Sequence, residues 1–146
     1  MDKLKVMRVR PGACLPARAT QGSAGYDLAA CLDAAAVIPA GGRLMIPTGI
    51  AIAIGDPGVV ALIFGRSGLG VKSGIVPANA VGVVDSDYRG ELMVGLANHS
   101  DMDYTVRHGD RIAQMVLTPV LTPELVECGD LSETARGASG FGSSGR

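Results

Sequence analysis

Apolar and polar residues alternate at period two in GIAIAI, residues 49–54, and in ELMVGLAN, residues 91–98. The same pattern is looser in KLKVMRV, residues 3–9, and RIAQMVLTPV, residues 111–120. Successive side chains of a strand point to opposite faces, so this spacing predicts half-buried β-strands. Turn signals separate them at short intervals: PAGG at 39–42, GDPG at 55–58, SDYRG at 86–90, HGD at 108–110 and TPE at 122–124. Many short strands joined by tight turns predict an all-β sandwich or barrel. No window holds a sustained helical period with caps, so helix is expected to be scarce, reduced to one short piece. Aliphatic content falls after about Cys128, and a Gly/Ser-rich end, RGASGFGSSGR, occupies residues 136–146. The reading is a β core over residues 1–128 with residues 129–146 as a flexible C-terminal arm.

Composition narrows the class. A chain of 146 residues with 47% hydrophobic and 18% charged content is one domain's worth and can bury a core. Thirteen Lys and Arg against fourteen Asp and Glu give a formal net charge of −1, so the overall balance recruits neither nucleic acid nor an anionic membrane. Any phosphate must be held locally. Cys14, Cys31 and Cys128 are odd in number and widely spaced, which argues against a disulfide framework or a zinc site. MDKLKVMRVR has no apolar signal region, and no apolar stretch is long enough to span a bilayer. A cytoplasmic protein is the expectation.

Five segments carry candidate chemistry. IFGRSGLGVKSG, residues 63–74, narrowly misses a phosphate loop because Val71 intrudes before Lys72 and Ser73. Arg66 still supplies a forked cation, Ser67 a hydroxyl, and the glycines unshielded amides, a set that can wrap an anion. An ordinary Gly-rich turn with a surface Arg is the plainer reading. The segment also fails as a nucleophile elbow at Leu69. In NAVGVVDSDYRGEL, residues 79–92, Asp85 follows directly on an apolar run. It is expected at a barrel mouth, partly desolvated and suited to general-base work, whereas Asp87 reads as a turn residue. GDRIAQM, residues 109–115, sets the Gln114 amide among aliphatic neighbours, where it needs a structural partner or a ligand. AGYDLAA, residues 24–30, puts Asp27 early in a strand, by default as a solvated edge carboxylate. His99 and His108 lack metal-ligand spacing and read as surface or turn residues. Phe141, one of only two Phe in the chain, stands inside the Gly/Ser end, where composition alone gives it no reason.

Taken together and in order, these segments resemble the dUTPase family: AGYDL its first motif, GRSGLG its second, GVVDSDYRGEL its third, GDRIAQM its fourth and RGASGFGSSG its fifth. The likeness runs from about Ala24 to the C-terminus, with Gly65 standing where the family usually has Pro. It implies a jelly-roll-like β-barrel of the β-clip type, a homotrimer with active sites shared between chains, and hydrolysis of dUTP to dUMP and pyrophosphate. That reaction keeps uracil out of DNA and supplies dUMP for thymidylate synthesis.

By the resemblance, Asp85 activates the attacking water, and Arg66, Ser67, Gly68 and Gln114 grip the phosphates. Mg²⁺ is held by the triphosphate, with Asp27 contributing through a water only. The backbone around Val83 and Val84, with Asn79 behind it, pairs with uracil, while Tyr88 packs on deoxyribose and Met93 lines the pocket. Phe141 stacks on the base as a lid, and Arg136, Gly142 and Ser143 close on the phosphates. The nearest rival enzyme is dCTP deaminase, whose catalytic Glu aligns with Gly95, which makes deamination the weaker reading. A non-catalytic nucleotide-binding module is the rival of another class, and it gives Asp85 no purpose.

Overall fold

The computed structural model describes residues 3–135, 137 and 138. Their strands are β1 Lys5–Arg8, β2 Tyr26–Ala29, β3 Ala36–Ile38, β4 Arg43–Ala53, β5 Val59–Phe64, β6 Ile75–Pro77, β7 Gly82–Val84, β8 Glu91–Asn98, β9 Tyr104–Val106 and β10 Arg111–Pro119. One helix, α1 Ser67–Ser73, lies between β5 and β6. Two four-stranded sheets, in the orders β1-β4-β8-β6 and β2-β10-β5-β7, and a β3-β9 pair close around a common core, with every strand pairing antiparallel. The fold is all-β and jelly-roll-like.

Alternation places the core. On β8 the even positions Leu92, Val94, Leu96 and Asn98 are buried, while Met93 faces out. Ile46, Ile50 and Ile52 of β4 meet Leu28 of β2, Ala61 of β5 and Met115 of β10 in one cluster. Asn98, like Thr48, is a buried polar residue, and its amide donates to the carbonyls of Ile38 (3.0 Å) and Met102 (2.7 Å), which offsets the cost of burying it.

The β4–β8 ladder is interrupted once. Pro47 faces Met93 and Ala51 faces Glu91, so three residues, Thr48 to Ile50, stand against Leu92 alone. Such a bulge needs a backbone that can turn sharply, and Gly49 supplies it at φ +68°. A Cβ there would also stand 2.6 Å from that of Ala13. Side chains replace the missing ladder bonds: the buried Thr48 hydroxyl donates to the Leu92 carbonyl at 2.6 Å, and the Gly49 amide donates to the Glu91 carboxylate at 2.8 Å.

Two expectations are corrected, and the expected single short helix is present among the described residues. KLKVMRV does contain β1, but all four residues of that strand are exposed, because β1 is an edge strand outside the core. TPE is no turn; residues 120–135 carry no strand or helix and are exposed. The single helix forms in the very segment where no helical period could be read. Seven residues are too few to show a period, none of them is fully buried, and Gly74 ends the helix in the left-handed region at φ 67°. Among the described residues, no helix is long and apolar enough to cross a membrane.

Candidate active site

The sheet β2-β10-β5-β7 carries candidate residues on both faces. Gln114 of β10 stands opposite Phe64 of β5 and Asp27 of β2, so these three side chains share one face. One step along, Met115 stands opposite Ile63, and Ile63 opposite Gly82 of β7, on the other face. Phe64 and Ile63, adjacent in one strand, therefore line two different clefts. The first, of about 790 Å³, holds Asp27, Arg66, Ser67, Gly68, Lys72, Arg111 and Gln114. The second, of about 230 Å³, holds Asn79, Val83, Val84, Asp85, Tyr88 and Met93. No residue lines both.

The first cleft is cationic, with Arg66, Lys72 and Arg111 against Asp27 and Asp110. Asp27 is not the solvated edge carboxylate its position suggested. Its side chain is only 17% exposed, taking the Arg66 Nε at 2.9 Å on one oxygen and an Arg111 terminal nitrogen at 3.0 Å on the other. A further Arg66 nitrogen donates to the Arg111 carbonyl at 3.2 Å. The guanidinium has five N–H groups, of which two are used among the described residues, which leaves three for an anion. Ser67 and Gly68 begin α1, whose first amides have no intrahelical acceptor, and nothing stands within 4 Å of where a Gly68 Cβ would project.

Packing accounts for two glycines at this face. A Cβ on Gly25 would stand 2.9 Å from the Gln114 Oε1, so AGYDL leaves room for the amide opposite it. Gln114 in turn donates to the Gly65 carbonyl at 2.8 Å, which fixes the strand end that presents Arg66. At Gly65 itself a Cβ would meet the Pro77 ring at 3.0 Å, a local reason for the missing side chain. Tyr104, also in this wall, is held above its ordinary pKa of 10.0 by burial and stays a neutral donor.

The second cleft, termed the hairpin cleft, is lined by β7, β8 and the tight turn between them. These two strands do not pair, and the turn passes the chain from one sheet to the other. Asp85 follows β7 at once, and its carbonyl accepts the Tyr88 amide at 3.2 Å across the Ser86–Asp87 turn. Its carboxylate forms no ion pair among the described residues and is exposed, so one chain alone does not give it the desolvation expected from the sequence. Val83 is 62% exposed, Tyr88 45% and Met93 42%, apolar surface that a single chain leaves uncovered. Gly95 lies in this wall.

Two ion-pair systems at these clefts escaped sequence reading. Arg111 reaches Asp27 across 84 residues, and Arg10 reaches Glu91 across 81, separations at which no local pattern signals a pair. The Glu91 carboxylate takes both Arg10 Nε (2.7 Å) and the Gly49 amide, and the Arg10 hydrogen bond first among these holds it below the usual carboxylate range. Arg136, Phe141, Gly142 and Ser143 lie outside the described residues.

A model of the dUTPase family matches residues 12–145. The chain belongs to the dUTPase family. It is 51% identical over 146 residues to the deoxyuridine 5'-triphosphate nucleotidohydrolase of Tolumonas auensis, covering 99% of this chain and 97% of that one. In three dimensions it is similar to the Staphylococcus bacteriophage 80alpha dUTPase solved with dUpNHpp, at TM-score 0.91 and 29% identity over the full length of both chains. It is also similar to a mutant dUTPase of phage phi11 of S. aureus, at TM-score 0.81 and 25% identity over 90% of this chain and 100% of that one. The latter structure concerns the coordination of a structural Mg(II) ion.

The first, second and fourth dUTPase-like motifs thus meet in the cationic cleft, and the third builds the hairpin cleft. Among the described residues no three His, Cys, Asp or Glu side chains gather to hold a metal. Asp27 has each oxygen occupied by a guanidinium and is largely neutralised, which suits it to a water-mediated contact and not to direct ligation. These donors fit a Mg²⁺ ion that a triphosphate brings with it.

Proposed function

We propose that the chain hydrolyses dUTP to dUMP and pyrophosphate at sites shared between copies of itself in a homotrimer, the hairpin cleft of one copy facing the cationic cleft of another. The observation that carries the shared site is the opposition of the two clefts on one sheet. A nucleotide lying in one cleft cannot reach the other through the β5–β10 wall, so base and phosphates need different subunits. Such closure also covers Val83, Tyr88 and Met93 and gives Asp85 a drier setting.

In the assembled site Asp85 takes a proton from water as its oxygen attacks the α-phosphorus. The bond from that phosphorus to the bridging oxygen breaks, and the electron pair leaves with pyrophosphate. Arg66, Ser67, Gly68 and Gln114 hold the phosphates, and the three unused Arg66 N–H groups meet charge as it moves onto the leaving group. Asp27 would hold a Mg²⁺ ion through a water, and the ion would supply charge neutralisation at the phosphates. The base is read by backbone. β7 pairs with β5 on one side only and is the outer strand of its sheet, so half of its amides and carbonyls are available to the donors and acceptors of uracil at Val83 and Val84. Asn79 stands beside them, Tyr88 faces the deoxyribose, and Met93 lines the pocket. Phe141 is assigned to the base, and Arg136, Gly142 and Ser143 to the phosphates.

Pyrophosphate release in the presence of Mg²⁺, measured against dUTP, dCTP, dTTP and UTP, tests the activity. Release from dUTP alone is expected. Ammonia from dCTP would replace this reading with deamination, and release from no nucleotide would leave a binding module.

A further inference from the structure

The Tyr88 ring is held from behind. Its hydroxyl donates to the Glu91 carbonyl at 3.0 Å, and the ring lies so close over Gly90 that any side chain there would collide with it. The pose of the ring thus follows the position of the Glu91 backbone. That backbone faces Ala51 on a single rung of the β4–β8 ladder, separated from the other rungs by the Thr48–Ile50 bulge. The Glu91 side chain adds further ties. Its carboxylate receives the Gly49 amide at 2.8 Å and the Arg10 Nε on both oxygens, at 2.7 and 3.0 Å. Arg10 lies just after β1, far along the chain and outside both clefts.

We infer that Arg10 is a positioning residue for sugar selection: through Glu91 it fixes the carbonyl on which Tyr88 rests, and so the fit of the ring against a 2'-deoxyribose. The inference rests on the proposed reading of Tyr88 as the sugar-facing side chain. A rigid ring rejects a 2'-hydroxyl, whereas a ring free to shift by a fraction of an ångström lets it in. Losing the anchor therefore raises activity toward the ribonucleotide relative to dUTP, while the dUTP reaction itself, which needs only a flat surface under the sugar, changes little.

The test is kcat and KM for dUTP and UTP in the full-length chain carrying Arg10→Ala, Arg10→Lys, Glu91→Gln, Tyr88→Phe or Tyr88→Ala, assayed well below each variant's melting temperature. Arg10→Ala should lower the dUTP/UTP ratio of kcat/KM by about three- to tenfold, the scale of one lost hydrogen bond, with kcat for dUTP within about twofold. Arg10→Lys should restore part of the ratio, and Tyr88→Phe, which cuts the bond to Glu91 but keeps the ring, should match Arg10→Ala. A merely structural role would lower the melting temperature and leave the ratio alone. An unchanged ratio in Arg10→Ala and Tyr88→Phe, with a collapsed ratio in Tyr88→Ala, overturns the anchor and keeps the sugar-facing Tyr88. An unchanged ratio in Tyr88→Ala overturns the reading of Tyr88 itself. Should Arg10→Ala fail to fold, Glu91→Gln and Tyr88→Phe decide by the same ratio.

Discussion

Asp27 and Asp85 carry the same functional group into opposite situations. Asp27 is clamped between Arg66 and Arg111 on a wall of paired strands, its side chain 17% exposed. Asp85 stands at the open end of a three-residue strand, exposed and with no ion pair among the described residues. A carboxylate with both oxygens held by guanidiniums serves as a structural strut. One left free beside a cleft is available to take a proton once a substrate and a second subunit enclose it. On the proposed reading each cleft is one half of a shared site, but Asp27 already has its partners within one chain whereas Asp85 does not among the described residues.

Substitutions can break that contrast. Asp85→Asn keeps the size and removes the base, so turnover should fall by about two to four orders of magnitude while dUTP affinity changes little. Near-normal turnover by pyrophosphate release would remove Asp85 from the chemistry. Arg66→Lys keeps a charge but loses the fork that reaches Asp27, the Arg111 carbonyl and an anion together. It should lower kcat/KM for dUTP by about ten- to a hundredfold. A value within twofold of the parent would mean that the fork serves only Asp27.

The smallest effect concerns the anchor of the hairpin cleft and appears in acid. The Arg10 hydrogen bond holds Glu91 below its ordinary value of 4.5, so the folded chain keeps this group ionised where the unfolded chain protonates it. Its contribution is therefore full above about pH 4.5 and is lost as pH falls through the depressed folded value. Melting temperature against pH should slope less steeply below pH 4.5 in Glu91→Gln than in the parent. Parallel acid limbs would show that the pair is not what Glu91 contributes.

Long strands were legible in the sequence. GIAIAI lies in β4 except for Ile54, although Gly49 to Ile52 are all buried and not alternately so; ELMVGLAN is β8, and RIAQMVLTPV is β10 with one residue added. Strands β3, β6, β7 and β9 have three residues each, too few to display a period, and VVALIF of β5 is an apolar run whose neighbours on both faces are supplied by distant segments. The residues of both clefts could be named from the motifs, but not the division between them. That division depends on register, on Gln114 meeting Phe64 while Met115 meets Ile63. The two ion pairs that set the pose of Asp27 and Glu91 join residues more than 80 apart, and nothing local announces them.

On the proposed reading, the placement of the clefts on opposite faces of one sheet means that a site using Asp85 and Arg66 together draws them from two chains. Co-expressing Asp85→Asn and Arg66→Ala chains under separable tags and isolating the trimers that carry both tests this directly. Each variant alone should be nearly inactive. An unsorted one-to-one mixture should regain roughly a quarter of parental dUTP hydrolysis, because every mixed trimer contains one site with both groups intact. Mixed trimers no more active than the two variants alone would place Asp85 and Arg66 in the same subunit's site and contradict the account.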